Sequence, residues 1–324
     1  MRMAVLPTFI LATLFFSACN SPDQSPPAAA PTANILLLLK AADNPFFQEI
    51  ERGARQAIVS SKKSVNLQVR SGDSESDVAG QRKALEWFYS EFGRQPAADA
   101  TAAVLITPAA SQRELTEQLL AFRKKGVPVV ILDTRIDEKA LKDAGVRYTA
   151  YFGSNNREGG RMAAQELLRA APSAHRVLLL GGVEGQETAA ARREGFRTEI
   201  AEKAPKVEIV ERTCNWRRNE ARKTVEALLA AGTTFDAIFG ANDEMALGAV
   251  EAIAVSASAS KPKVVIGFDA IPEARSAVKA GRLTATIAQS PFDMGRMAIE
   301  CVLDPKQRAS TMSDRDVPLQ VVRK

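Results

Sequence analysis

The sequence predicts an α/β protein of two similar lobes, each built on a parallel sheet. Three observations predict it. Short apolar runs alternate with stretches of helical spacing, the pattern of strand, right-handed crossover and next parallel strand. The alternation runs to residue 135 and restarts at Tyr148. Amides, carboxylates and aromatic rings stand repeatedly where a strand stops and a helix begins. In open α/β sheets the carboxyl ends of the strands are where ligands bind.

The first half opens with NILLLLK at 34–40, a run suited to a strand buried on both faces. Asp43-Asn44-Pro45 stops it, and Pro45 can open a helix carried over 46–60 by Ile50, Ala54, Ala57 and Ile58. A strand at 65–69, a polar loop at 71–76 and a helix at 78–92 follow. The strand 102–106 ends at Thr107-Pro108, and a helix over 115–125 stops at Gly126. A fourth strand, 127–132, ends in Asp133-Thr134-Arg135.

The second half reads the same way. After a strand at 148–152, Ser154-Asn155-Asn156 caps a helix that runs to about Arg169. A strand at 176–180 ends in Gly181-Gly182, and a helix over 192–203, a strand at 207–211 and a helix over 219–230 come next. The run 235–239 is a buried strand closed by Gly240, after which Asn242 and Asp243, both good N-cap types, precede the next helix. A strand at 264–268 ends at Asp269, a helix over 272–280 at Gly281, and a strand at 283–288 at Gln289-Ser290-Pro291, before a helix over 294–302. Two such halves suggest a cleft between lobes, a common small-molecule site.

Composition narrows the function classes. With 324 residues, 46% hydrophobic and 25% charged, the chain is ordinary globular material long enough for two domains. The net charge of +5 is scattered, with no Lys/Arg block interleaved with aromatics, so no nucleic acid is expected as a partner. One His and three Cys leave no plausible zinc cluster, and no cofactor is expected. The only His, His175, has no Ser nucleophile beside it in the motifs, and the loop 181–185 lacks the G-x-G-x-x-G order. Asp133 and Asp269 could form a glycosidase carboxylate pair, but nothing suggests that either is kept protonated. An enzyme is the weakest reading.

The N-terminus carries Arg2, an apolar run over 4–16 and Phe16-Ser17-Ala18-Cys19, which is similar to a bacterial lipobox. That makes 1–18 a lipoprotein signal peptide and Cys19 the site of lipid attachment, with a Pro-, Ala- and Ser-rich tether over 19–33. The plainer alternative is a signal peptide followed by an incidental Cys. Cys214 and Cys301 are expected to stay unpaired, since nothing in the sequence brings them near each other.

The strand-end residues are Asn44, Asp133, Asn242, Asp269 and Gln289, with Arg192 at a helix start and Trp216 in a loop. Amides and carboxylates make paired hydrogen bonds to hydroxyls, and Arg adds a rigid fork. Phe46, Phe47 and Trp216 are flat apolar plates. A sugar ring, with polar edges and apolar C–H faces, fits such a set. The competing readings are that Asn242 and Asp243 only cap a helix and that the two Phe residues only fill the core.

The motifs together resemble the ribose-type sugar-binding proteins of ABC transporters across roughly 33–324. They are Asn44-Pro45-Phe46-Phe47, Gly159-Gly160, Arg192-Arg193-Glu194-Gly195-Phe196, the run 242–248 (NDEMALG), Gly267-Phe268-Asp269 and the run 285–289 (ATIAQ). The resemblance implies the type I periplasmic binding protein fold: two Rossmann-like lobes with parallel sheets joined by three hinge crossovers, near Gly153, Gln289 and Val317. The lobes are then 34–153 with 290–316, and 154–289 with 317–324. It also implies a ligand set of Asn44, Phe46, Phe47 and Asp133 from the first lobe and Arg192, Trp216, Asn242 and Asp269 from the second, with Gln289 at a hinge. Two departures set the chain apart from ribose binders. Thr134 stands where they carry Arg, with Arg135 one place later, and Lys40 replaces a small hydroxyl residue at the end of the first strand.

The implied function is capture of a monosaccharide or related polyol by a monomer held to a membrane through its lipid, and delivery to an inner-membrane ABC permease. The same fold serves sensors that present a bound ligand to a membrane receptor, and regulatory domains of transcription factors. The export signal argues against the last, as does the lack of room for a DNA-binding domain before Asn34. A buried ammonium needs a partner. Lys40 therefore either pairs with a cleft carboxylate such as Asp133 or Asp269 beside a neutral sugar, or helps select an acidic or strongly hydroxylated ligand.

Overall fold

The computed structural model describes residues 33–93, 102–109, 113–258, 260–304 and 313–324. The leader, Cys19 and most of the tether lie outside the described residues. In chain order the elements are β1 (Ala33–Ala41), α1 (Pro45–Ser61), β2 (Val65–Gly72), α2 (Val78–Phe88), β3 (Ala102–Ile106), α3 (Thr116–Lys124), β4 (Val129–Leu132), α4 (Glu138–Asp143) and β5 (Ala150–Gly153). The second series is α5 (Asn156–Ala170), β6 (Arg176–Gly181), α6 (Glu187–Lys203), β7 (Glu208–Thr213), α7 (Arg218–Ala230), β8 (Ala237–Gly240), α8 (Asp243–Val255), β9 (Val264–Asp269), α9 (Pro272–Lys279) and β10 (Ala285–Ala288). Then come α10 (Pro291–Leu303), β11 (Ser313–Asp316) and β12 (Gln320–Arg323).

Two six-stranded sheets result, ordered β11-β5-β4-β3-β1-β2 and β12-β10-β9-β8-β6-β7. Every pairing is parallel except the edge pair β10–β12. β1 shows why its run carries no polar alternation: Ile35, Leu37 and Leu39 enter one core while Leu36 and Leu38 enter the other. The chain passes between the sheets three times, from β5 to α5, from β10 to α10, and from β11 to β12. The two α/β lobes and their three crossovers are those the motifs imply.

Several element bounds differ from expectation. α2 ends at Phe88 and continues as a π turn over Tyr89–Gly93. α4, β11 and β12 were not foreseen. The two strands are short and charged or exposed, as edge strands are. α6 starts at Glu187, so Arg192 sits inside the helix rather than at its start. The helix seam beneath Arg192 explains the glycines of two motifs. A Cβ on Gly195 would lie 1.9 Å from the Arg157 carbonyl oxygen, and one on Gly160 2.1 Å from that of Arg192. Only glycine lets α5 and α6 approach this closely. Cys214 and Cys301 are both buried.

Candidate ligand-binding site

In both sheets the strand order reverses around the first strand of the series, β1 in one and β6 in the other. The crevice at such a switch point is the preferred ligand position in open α/β sheets. Here the two crevices face each other across one shared, partly open pocket. All ten residues singled out from the sequence line it: Lys40, Asn44, Phe46, Phe47, Asp133, Arg192, Trp216, Asn242, Asp269 and Gln289. Glu75 and Thr188 complete the lining.

From the first lobe, Lys40, next to last in β1, is buried, with its ammonium 2.9 Å from Asp133 Oδ2 and 2.5 Å from Thr134 Oγ1. Thr134 in turn donates to Asp133 Oδ2 at 2.9 Å. Of the two partners expected for Lys40, the structure has Asp133. The ammonium also lies 5.7 Å from the Phe47 ring centre. Phe46 and Phe47 meet edge to face at 5.3 Å and serve core and cavity together. Asn44 caps α1 through its Oδ1, which accepts from Phe46 N, and its Nδ2 donates to Glu75 Oε1 at 2.9 Å. Arg135 is not part of the lining. It packs on Tyr151 at 3.7 Å and pairs with Asp314 at 2.7 Å.

From the second lobe, the Arg192 guanidinium donates to Asn156 Oδ1 at 2.8 Å and to the Ala241 carbonyl at 2.7 Å. It lies 3.5 Å from Asp269 Oδ1 and 3.8 Å from the Phe268 ring centre. Gln289 Nε2 donates to Asp269 Oδ1 at 2.8 Å, while Gln289 Oε1 is buried without a partner among the described residues. Asn242 both caps α8, accepting from Met245 N at 2.9 Å, and donates to the Trp216 carbonyl at 3.2 Å. Capping and cavity lining are therefore joint roles of this one side chain. Asp243 is structural: it accepts from Ile271 N and from Thr286 Oγ1 beneath the sheet.

The backbone is strained where these groups are presented. Asp133 (φ 59°), Trp216 (φ 64°) and Asp269 (φ 111°) all lie in the left-handed region, at a cost of about 1–3 kcal/mol each. Asp133 is held there by Tyr151, whose hydroxyl donates to its carbonyl at 2.8 Å. Electrostatically the cavity is rich in carboxylate. Burial pushes the Glu75 carboxyl up to about 7, against the pull of Lys40 and the Asn44 amide. Burial likewise raises Asp269 to about 7, opposed by Arg192 and Gln289.

Glu75 and Thr188 escaped the sequence reading. Glu75 sits in an unremarkable polar loop, and its contact with Asn44 spans 31 residues. Thr188 was missed because α6 begins without a side-chain cap.

The profile of the periplasmic binding protein domain matches residues 35–304. The D-allose-binding periplasmic protein of Escherichia coli is 29% identical over 282 residues, 86% of each chain. A ribose import binding protein of Salmonella typhimurium is 31% identical, over 90% of each chain. Among solved structures, an ABC transporter periplasmic solute-binding protein of Actinobacillus succinogenes with bound D-allose is 29% identical. It superposes with a TM-score of 0.80, covering 90% of this chain and 98% of that one.

Proposed function

Because this chain belongs to the periplasmic binding protein family, we propose that it captures a neutral monosaccharide between its lobes and delivers it to the permease of an ABC importer. The observation that carries this is Gln289 Oε1, a buried acceptor with no partner among the described residues, in a cavity where carboxylates outnumber cations. A ligand that donates hydrogen bonds answers that need, and hydroxyls donate without adding charge. Asp133 repels an anion, Glu75 and Asp269 join it as they ionise near pH 7, and Lys40 and Arg192 are already paired with Asp133 and Asp269. Phe46, Phe47 and Trp216 supply apolar faces for the ring, and Asn44 and Asn242 each retain an N–H for its rim. Closure turns the lobes, 34–153 with 290–316 and 154–289 with 317–324, about the three crossovers.

The relatives named for D-allose and ribose make neutral aldoses the first panel. Calorimetry and thermal shift against pentoses, hexoses, polyols and sugar acids test the reading. Sugar at 100 times its dissociation constant adds about 2.7 kcal/mol of stability. Tight binding of a uronate or a sugar phosphate, with no neutral sugar bound, would overturn it.

The lipobox supports an anchored form, with Cys19 acylated and the tether spanning from the membrane to the lobes. Cys19→Ser then shifts the protein from the membrane pellet to the soluble fraction. Wild-type protein already soluble in its own host would contradict this.

A further inference from the structure

Gln186 is one of the most buried polar residues in the molecule and belongs to neither the cavity lining nor the core. It precedes α6 in the N-cap position, yet its side chain makes no cap. Instead the amide points across the cleft. Its Nε2 donates to the Glu75 carbonyl at 2.8 Å and to the Ala109 carbonyl at 3.0 Å, both in the first lobe. Its Oε1 accepts from the Trp216 indole Nε1 at 2.7 Å. Both N–H groups and the oxygen of the amide are thus engaged, the two N–H groups across the lobe boundary.

Both ends of this bridge are firmly held. The Ala109 segment is fixed by buried Gln81, whose Oε1 accepts from Ala109 N at 2.8 Å and whose Nε2 donates to the Leu39 and Thr107 carbonyls. The Trp216 ring lies flat over Gly182, where a Cβ would stand 2.0 Å from the indole. Opening the cleft would take both carbonyls away from Gln186 and exchange two internal hydrogen bonds for bonds to water, losing their net contribution.

We infer that Gln186 is a positioning residue: one amide fixes the aromatic plate that the ligand packs against and clasps the two lobes shut, so plate and closure stabilise each other. The inference rests on the sugar-binding reading above. It predicts that losing the clasp affects how long a ligand stays and leaves unchanged which ligand is chosen.

Gln186→Glu separates the two halves of the role. The carboxylate still accepts from Trp216 Nε1 but has no donor for the two carbonyls. Stopped-flow release of whichever panel sugar binds wild type should accelerate on the order of tenfold to a hundredfold, the worth of two hydrogen bonds. The rank order of sugars should stay the same. Trp216→Phe, which keeps a ring and loses the indole N–H, should give a smaller acceleration, and the double variant less than the product of the two. Gln186→Met, an uncharged isostere, replaces Gln186→Glu should the latter not fold. Release at the wild-type rate, or a changed sugar ranking, overturns the inference. If wild type binds no sugar at all, the sugar reading fails by itself. The clasp is then judged by small-angle scattering of the ligand-free proteins: a smaller closed fraction in Gln186→Glu supports it, and an equal fraction overturns it.

Discussion

Lys40 and Asp133 show what a single substitution can do to a site of this kind. The ammonium and the carboxylate are both buried, 2.9 Å apart, with Thr134 bonded to each. A buried pair gains little over apolar residues of the same shape, but breaking one is expensive, because the surviving charge stays in the interior. Lys40→Met therefore lowers stability by about 3–5 kcal/mol. Lys40→Met with Asp133→Asn recovers most of that loss, since no charge is then stranded. Thermal melts of the three proteins check it: equal melting of wild type and Lys40→Met would mean that the pair is solvated or unformed. The same geometry bears on the ligand. Under the proposed neutral-sugar function, Lys40, with its ammonium committed to Asp133, would not select for acids. Lys40→Met weakens the binding of the neutral sugar and leaves sugar acids unbound, as in wild type.

At the scale of elements, the strands and most helices could be read from apolar runs and their punctuation, because a parallel sheet covered on both faces writes itself as nearly unbroken hydrophobic segments. β1 and β9 are of this kind, and so are the polar residues at their carboxyl ends, Lys40 and Asp269. The helix α6 begins five residues before the start its sequence predicts. Gln186, which should signal its start, spends its amide on the other lobe instead of on its own helix. Thr188 was lost with that first turn. β11 and β12 carry little apolar signal, and only their pairing with β5 and β10 makes them strands. Pairing across long stretches of chain was also beyond reach. Lys40 and Asp133 are 93 residues apart, and Gln186 and Glu75 are 111 apart. Sequence could narrow the partner of Lys40 to Asp133, Asp269 or the ligand itself, and packing supplies Asp133. Glu75 gave no signal, because a Glu in a Ser-rich loop looks like solvent-facing chain until the facing lobe desolvates it.

At the scale of the molecule, closing the lobes brings carboxyls from both sides into one desolvated space. Glu75 and Asp133 come from the first lobe and Asp269 from the second, with Asp243 close behind it. Burial raises Glu75 and Asp269 to about 7, and Asp133 adds to both shifts. Burial and the neighbouring Asp269 raise Asp243, and burial with Asp133 raises Glu187. Lys40 and Arg192 pull the other way without cancelling the effect. A carboxyl whose folded value lies above its unfolded one binds protons more tightly in the native state. For Glu75 that contribution is complete below the ordinary value of 4.5 and is lost as pH rises through about 7. Ligand-free protein should accordingly melt at falling temperature between pH 5 and pH 8, the ionised carboxyls pressing the lobes apart. Glu75→Gln, which cannot ionise and can still accept from Asn44, should flatten that slope and keep the higher melting temperature at pH 8. Melts of both proteins across this range decide it. A wild-type profile that is flat, or one that Glu75→Gln leaves unchanged, would show that Glu75 is solvated in the ligand-free protein and that the lobes rest open.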